Sequence, residues 1–408
     1  MPFNFKKKLN QVQIVMKHLI TTVLLLLFSA LLFAQKGNVY TSLENALQNP
    51  NKVYELNLSG QKLESIPASI GQFSKLEKLD LHNNSITELP AAICNLQHLR
   101  WLNISFNKLK RLPANIGNLN ALEYLNTHSN ELESLPNSFT KLNALKTLNL
   151  YYNHLDSLNS DFGNLSNLRQ LYLNSNPLKA LPSSFSQLKN LSLLNLSFNR
   201  INYVLTDFQD LEQLDSLIII SCHLRFIPKE ITQIKSLTYL NLQANEIQVI
   251  PEAIQNLEHL EELIMQDNPI TTIHPNIGSL SKLSLLNLSD YNYNLVAEIP
   301  ASLTNLKELK VLQICGLGLK KIPDFIFDME QLEIIDIKYN NFKKVPKSVK
   351  KLVHLKRFDF RSEKIVERQN KNVQKWLPNT EINALNERSD QMQKVLKALM
   401  KAADNKKE

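Results

Sequence analysis

Nine positions in this chain, Asn84, Asn107, Asn130, Asn153, Asn176, Asn199, Cys222, Asn245 and Asn268, fall at one constant step of 23 residues. That spacing leaves no room for an insertion or deletion along the run, so the stretch folds as a series of equal units. Such units stack in one dimension, each against its neighbours. A chain of 408 residues then makes one elongated body rather than the two or three domains its length suggests.

Each of these positions sits in the same frame. LEKLDLHNNSITELP, LEYLNTHSNELESLP and LTYLNLQANEIQVIP place their apolar residues as LxxLxLxxNxLxxLP. The LxL pair has the strand period, which points Leu79 and Leu81 inward and Lys78, Asp80 and His82 outward. Short parallel strands therefore line one face. The Asn ends each strand by turning its amide into the chain, where it accepts from and donates to backbone groups that a tight coil buries. Asn340 belongs to the same ladder, whereas Gln61, Cys222 and Leu317 are departures that the coil must absorb locally.

The return arm reads LPxxIxxL, as in LPAAICNL and LPANIGNL. Pro fixes φ and removes an N–H where the chain leaves the inner edge, and apolar residues three apart close the core from the far side. Asn159, Leu205 and His274 stand where the arm's Pro is expected. Each buried Leu contributes roughly 1.5–3 kcal/mol relative to exposure. One unit buries too little to fold alone, and about fourteen in series bury enough.

From residue 53 to about 365 this frame resembles the leucine-rich repeat proteins, and its arm is similar to the 23-residue class of Ras-group and many bacterial members. The resemblance implies an α/β repeat solenoid, a horseshoe with parallel strands on the concave face and short helical or irregular arms on the convex face. LSDYNYNLVAEIP is about three residues longer than its neighbours and is expected to bulge on the surface, with neither Tyr291 nor Asn294 assigned to the ladder.

The two ends differ from the coil. Residues 1–34 hold four lysines, no acid and the apolar run LITTVLLLLFSALLFAQ, which is short for a membrane span and suited to a secretory signal cleaved near Ala34 and Gln35. Met16, before Lys17 and His18, is the more ordinary start for such a signal. An uncleaved anchor is the alternative, because the −3 residue of the Leu32-Phe33-Ala34 junction is large. Residues 35–52 read as a capping helix, with Thr41 and Glu44 at capping-box spacing. Residues 366–408 read as a C-terminal cap, sealed by Trp376 and Leu377, and a basic amphipathic helix carrying Met392, Val395, Leu396 and Leu399. RFDFRSEKI is the last, degenerate strand, with Glu363 at the Asn position.

The formal charge of +8 is uneven, since residues 35–337 carry about −7 and the chain from Lys338 onward about +11. Those lysines lie on solvated arms and imply no sequence-specific nucleic-acid binding. Only 8 glycines are present, and no phosphate-cradling loop is among them. Cys222 and Cys315, four units apart, are separated by roughly 19 Å at a strand spacing near 4.8 Å, too far for a disulfide. Cys94 and Cys222 are expected as buried thiols, and Cys315, at an outward strand position, as partly exposed. No Cys or His spacing fits a metal site, and no cofactor is implied. The nucleophilic-cysteine ligase domain of some bacterial repeat proteins has no room here, because no Cys follows Cys315. The chain reads as a non-catalytic module.

Its candidate site is the concave face. Trp101 precedes the inward pair Leu102 and Ile104, so it points outward; Tyr124 holds the same position one unit later, and Tyr151 and Tyr172 occupy other outward positions. His82 and His128 share the column of Tyr151. Aromatic residues with polar tips are what interface hot spots favour, while the same columns later carry hydrophilic residues such as Glu262 and Gln266. Stacking among these rings is the competing role. Asn103, Asn126, Asn149, Asn195, Asn241 and Asn287 form a further column, expected to bond laterally from strand to strand, and Phe106 and Phe198 are expected to tuck over strand edges. The reading is an exported monomer, secreted or periplasmic, that holds a protein, peptide or glycan and meets the membrane only through its signal segment. The alternative, drawn from the Ras-group resemblance, is an intracellular or membrane-anchored scaffold that binds a small GTPase.

Overall fold

The computed structural model describes residues 39–201, 208–291, 298–361 and 367–383. The signal segment, Leu205, Asn294, Glu363 and the basic tail helix lie outside the described residues. Three-residue strands recur every 23 residues from Glu55–Asn57 to Arg357–Asp359, with one longer step between Leu285–Asn287 and Val311–Gln313. The longer step falls at the expected insertion. With Val39–Tyr40 and Glu381–Asn383 added at the ends, these strands form one parallel sheet of 16 in sequence order. The pairing registers Lys78 with Trp101, Trp101 with Tyr124, and Tyr124 with Thr147. Val249–Ile250 and Thr272–Ile273 make a separate two-stranded parallel pair.

Behind the sheet, the return arms are 3-10 turns such as Ala91–Asn95 and Ser183–Gln187. Pro90 ends its own extended segment at φ −65°, and its carbonyl accepts from Ile93 N–H at 3.0 Å to open the turn. A 3-10 turn repeats every three residues, so Ile93 and Leu96 align and are both fully buried. Leu99, Leu102 and Ile104 complete that layer of the core.

The asparagine ladder stitches the layers together. Asn107 Nδ2 donates to Leu81 O at 3.0 Å in the preceding unit and to Ile104 O at 3.1 Å in its own, while its Oδ1 accepts from Ile86 N–H at 2.9 Å. Leu81 O also accepts from Asn84 Nδ2 at 2.9 Å, so two successive Asn side chains share one carbonyl. That sharing uses both lone pairs of the oxygen.

The Asn103 column does not bond from Asn to Asn as expected, although Asn287 Nδ2 donates to Gln266 Oε1 of the preceding unit at 3.1 Å. Asn103 Oδ1 instead accepts from Ser105 N–H two residues on, at 3.1 Å. Asn126, Asn149, Asn195, Asn241 and Asn287 cap His128, Tyr151, Ser197, Gln243 and Ser289 in the same way. In two of the units that lack this Asn, those of Ile218 and Gln313, a serine of the preceding unit takes over: Ser197 Oγ accepts from Ile220 N–H, and Ser289 Oγ from Cys315 N–H.

The residue before each ladder position adopts left-handed backbone, from Gly60 and Asn83 through Phe106, Tyr152 and Phe198 to Gly316 and Tyr339. Bulky side chains there cost roughly 1–2 kcal/mol each. Phe106 and Phe198 consequently project outward, 53% and 55% exposed, rather than tucking over the strand edge. The three departures from Asn share one adjustment. After Gln61, Cys222 and Leu317, the next residues Lys62, His223 and Gly318 also turn left-handed. At Cys222 the N–H of the residue itself reaches Asn245 Oδ1 at 2.9 Å, which also accepts from Leu224.

At the N-terminal end, helix α1 (Leu43–Leu47) is capped by Ser42 accepting from Asn45 N–H at 3.3 Å, not by Thr41. The frame starts one residue later than the Thr41/Glu44 spacing suggests. Thr41 instead lends its carbonyl to Gln61 Nε2 at 2.7 Å, which ties the first unit to the cap. At the other end, α2 (Glu367–Trp376) places Val373 and Leu377 against the last units.

Candidate ligand-binding face

The parallel register brings outward residues of successive strands into columns about 4.8 Å apart, close enough for rings to stack. Trp101 and Tyr124 lie parallel with centroids 5.2 Å apart. On the side toward the preceding strand, Lys78 Nζ stands 5.1 Å from the Trp101 centroid, while Lys78 also pairs with Glu55 at 2.6 Å. Two columns along, past that of Asn103, His128 stacks on Tyr151 at 4.5 Å, and Phe106 meets His128 at a steep angle. All of these but Phe106 are half-buried. The sequence-predicted residues Trp101, Tyr124, His128 and Tyr151 are thus brought together as two ring stacks. Tyr172 lies in the column of Asn149 and near enough to Tyr124 to raise its pKa. His82 stands apart from the stacks, with Nδ1 2.9 Å from Asp80.

Burial, with Tyr172 and Asp80 adding to it, pushes the Tyr124 hydroxyl up to about 12 against the opposing pull of its bond to Asn126. Burial lowers the pKa of His128, only partly offset by its contact with Tyr151 O, which favours the neutral ring at pH 7. The patch offers ring edges, hydroxyls and a neutral imidazole.

Further along, the concave face differs from the hydrophilic run expected. Glu262 and Gln266 are there, but Leu193, Leu285 and Val311 occupy the column of Trp101, and Ile218, Ile220 and Ile264 stand beside them, all buried or half-buried. The signal was SLIII at 216–220, whose alternate residues point outward. Beyond it, Asp336 and Asp359 are buried and paired, with Lys338 3.0 Å from Asp336 and Arg357 2.6 Å from Asp359. Cys315 is fully buried in this region rather than partly exposed. Its outward position lies among Asp336, Lys338 and Tyr291, and the resulting desolvation pushes its thiol pKa well up. Cys94 and Cys222 are buried free thiols.

Among the described residues no three His, Cys, Asp or Glu side chains are grouped to hold a metal ion, and no helix is long and apolar enough to cross a membrane. The face presents binding chemistry, in the form of stacked rings, an apolar strip and paired charges.

Two family models match the chain. One described as a leucine-rich repeat region covers residues 45–137 and 91–155, and one described as a leucine rich repeat covers 166–224 and 212–270. A search of curated proteins returns no match. Among solved structures, a leucine-rich repeat protein of Leptospira interrogans is 29% identical, with a TM-score of 0.74 over 85% of this chain and 100% of that one. An internalin of Listeria monocytogenes, 20% identical, has a TM-score of 0.61 over 84% of this chain and 89% of its own. The plant peptide hormone receptor RGFR1 in complex with RGF2, 24% identical, has a TM-score of 0.55 over 81% of this chain, which spans 62% of that receptor chain. With the repeat frame, the shared-carbonyl ladder and these matches in agreement, the chain belongs to the leucine-rich repeat proteins, a family of interaction modules.

Proposed function

We propose that this protein is exported and holds a protein or peptide on its concave face, with no chemistry of its own. The observation that carries the reading is the pair of half-buried ring stacks, Trp101 on Tyr124 and His128 on Tyr151. Half-buried aromatic side chains held rigid by their neighbours bind with little further loss of side-chain freedom. A sugar needs an open ring face to stack on, and both faces of Trp101 are covered, by Lys78 and by Tyr124. Ring edges and hydroxyls remain, and they suit the carbonyls and apolar side chains of a polypeptide. Export rests on the lysine-flanked apolar run before Gln35, and it separates this reading from a cytosolic scaffold for a small GTPase.

Two measurements test the proposal. Mass spectrometry of the N-terminus in fractionated host cells should find a mature start at Gln35 outside the cytoplasm; an intact apolar segment in the cytosol refutes export. Changing Trp101, Tyr124, Tyr151 and Tyr172 together to Ser should abolish capture of an envelope or extracellular partner with the circular dichroism spectrum retained. Undiminished capture refutes the site, and loss of the fold assigns the rings to stability instead.

A further inference from the structure

A second surface runs beside the concave face, along the left-handed residues that precede the ladder. Phe106, Tyr152 and Phe198 stand there at 53%, 60% and 55% exposure, each in positive-φ backbone. They recur every second unit, with Ser129 and Ser175 between them and Ser221 after the last. Two residues after each ring comes an exposed basic or imidazole side chain, in Phe106-Asn107-Lys108, Tyr152-Asn153-His154 and Phe198-Asn199-Arg200. The two intervening units carry Glu131 and Pro177 at that place, and the unit after the last ring carries His223.

The fold does not ask for these rings. Asn83, Ser129, Ala244 and Asp267 serve the same backbone position elsewhere, and Asn adopts left-handed backbone with less strain than Phe or Tyr. The arms of this stretch share the two-unit spacing: Gly117 and Gly163, also two units apart, both lie where a Cβ would strike the carbonyl of Ser138 or Ser184 in the next unit. A strained, exposed, repeated aromatic side chain is a feature whose cost binding can offset.

Phe106 packs on His128, which stacks on Tyr151, itself edge-on to Tyr152, so the row is continuous with the concave stacks. A depression lies around the last tooth of the row, lined by Ser175, Phe198, Arg200, Ser221 and His223. Rings two strands apart are separated by about 9.6 Å. A polyproline II segment repeats a face every three residues, or about 9.3 Å. A β-strand repeats a face at about 6.8 Å, and two turns of an α-helix advance about 10.8 Å. Over three teeth only the first stays in register.

We propose that the row Phe106, Tyr152 and Phe198 is a docking ridge for an extended, acidic, proline-bearing peptide segment in polyproline II conformation. Its apolar residues at every third position seat between the rings, and its carboxylates face Lys108 and Arg200. The inference stands beside the concave-face reading and does not depend on it, because none of the three rings belongs to the two stacks.

The test is fluorescence anisotropy of the full chain with a labelled (Pro-Pro-Glu)4 peptide, the lysine counterpart (Pro-Pro-Lys)4, and a helical peptide with apolar residues at i and i+7. The acidic polyproline peptide should bind, and the triple variant F106N/Y152N/F198N should weaken it at least about tenfold, as hot-spot rings do, without lowering the melting midpoint. Equal binding of the lysine peptide, preference for the helical one, absence of binding, or an affinity unchanged in the triple variant overturns the proposal. A marked fall in the melting midpoint also overturns it, by making the rings structural.

Discussion

Asn153→Leu removes one rung of the ladder and isolates its energetic role. The side chain is 4% exposed, and its Nδ2 donates to Thr127 O at 3.1 Å and Leu150 O at 3.0 Å. Both carbonyls keep a second ladder donor after the change, from Asn130 at 3.0 Å and Asn176 at 3.0 Å. The acceptor side has no such reserve. Leu132 N–H donates to Asn153 Oδ1 at 3.0 Å, and burial leaves it away from water once that oxygen is gone. The variant should therefore lose about 1–3 kcal/mol, the cost of one orphaned buried N–H, rather than the sum over every bond drawn.

Asn153→Asp sharpens the argument. It keeps the acceptor for Leu132 but turns an oxygen toward the two carbonyls, so at pH 7 it should be less stable than the Leu variant. Those carbonyls raise the folded-state pKa of the introduced carboxyl. Its penalty is then smallest below the unfolded value of about 3.9 and grows as pH rises toward the folded one. Urea denaturation followed by far-ultraviolet circular dichroism at pH 4 and pH 7 measures both effects. A Leu variant within about 0.5 kcal/mol of the parent, or an Asp variant whose deficit shrinks as pH rises, would refute the shared-carbonyl account.

Two glycines of nearly equal φ should respond differently to alanine. At Gly316, φ +70°, an added Cβ would lie 1.9 Å from Asp290 O, whereas at Gly60, φ +68°, its nearest neighbour is Asn83 Nδ2 at 3.7 Å. Gly316→Ala should cost about 2–4 kcal/mol and Gly60→Ala about 1–2; equal urea midpoints would contradict this. The three thiols should resist a disulfide reagent at pH 8 until urea unfolds the chain. Burial pushes Cys222 up to about 11 and raises Cys94 and Cys315 as well, so little thiolate is present in the folded state. A thiol that reacts as fast in the native protein as in urea would disprove that burial.

Much of the architecture was readable from spacing alone. The 23-residue step set the strand register, and LxL alternation placed Leu79 and Leu81 inside and Trp101 outside. The direction of the Asn103 column was not readable, because an amide at that position can reach either its counterpart one strand away or the N–H two residues on. Nor were the left-handed residues: Gly60, Asn83 and Gly316 hint at them, but Phe106, Tyr152 and Phe198 conceal the same backbone behind residues that avoid it. The site was legible as a set of outward rings. Its pairing was not, since Trp101 stacks on its counterpart one unit later while Tyr172 lies in a different column.

By itself, then, the sequence determined the coil: a constant period admits one parallel register, and periodic leucines admit one buried face. The tertiary structure alone decided how polar and aromatic groups at outward positions are used. Those positions are about 4.8 Å from their counterparts in the next unit but 23 residues away along the chain. Cys315 is buried by its neighbours Asp336, Lys338 and Tyr291 in this way, and Trp101 finds both of its faces covered by residues of the strands before and after it.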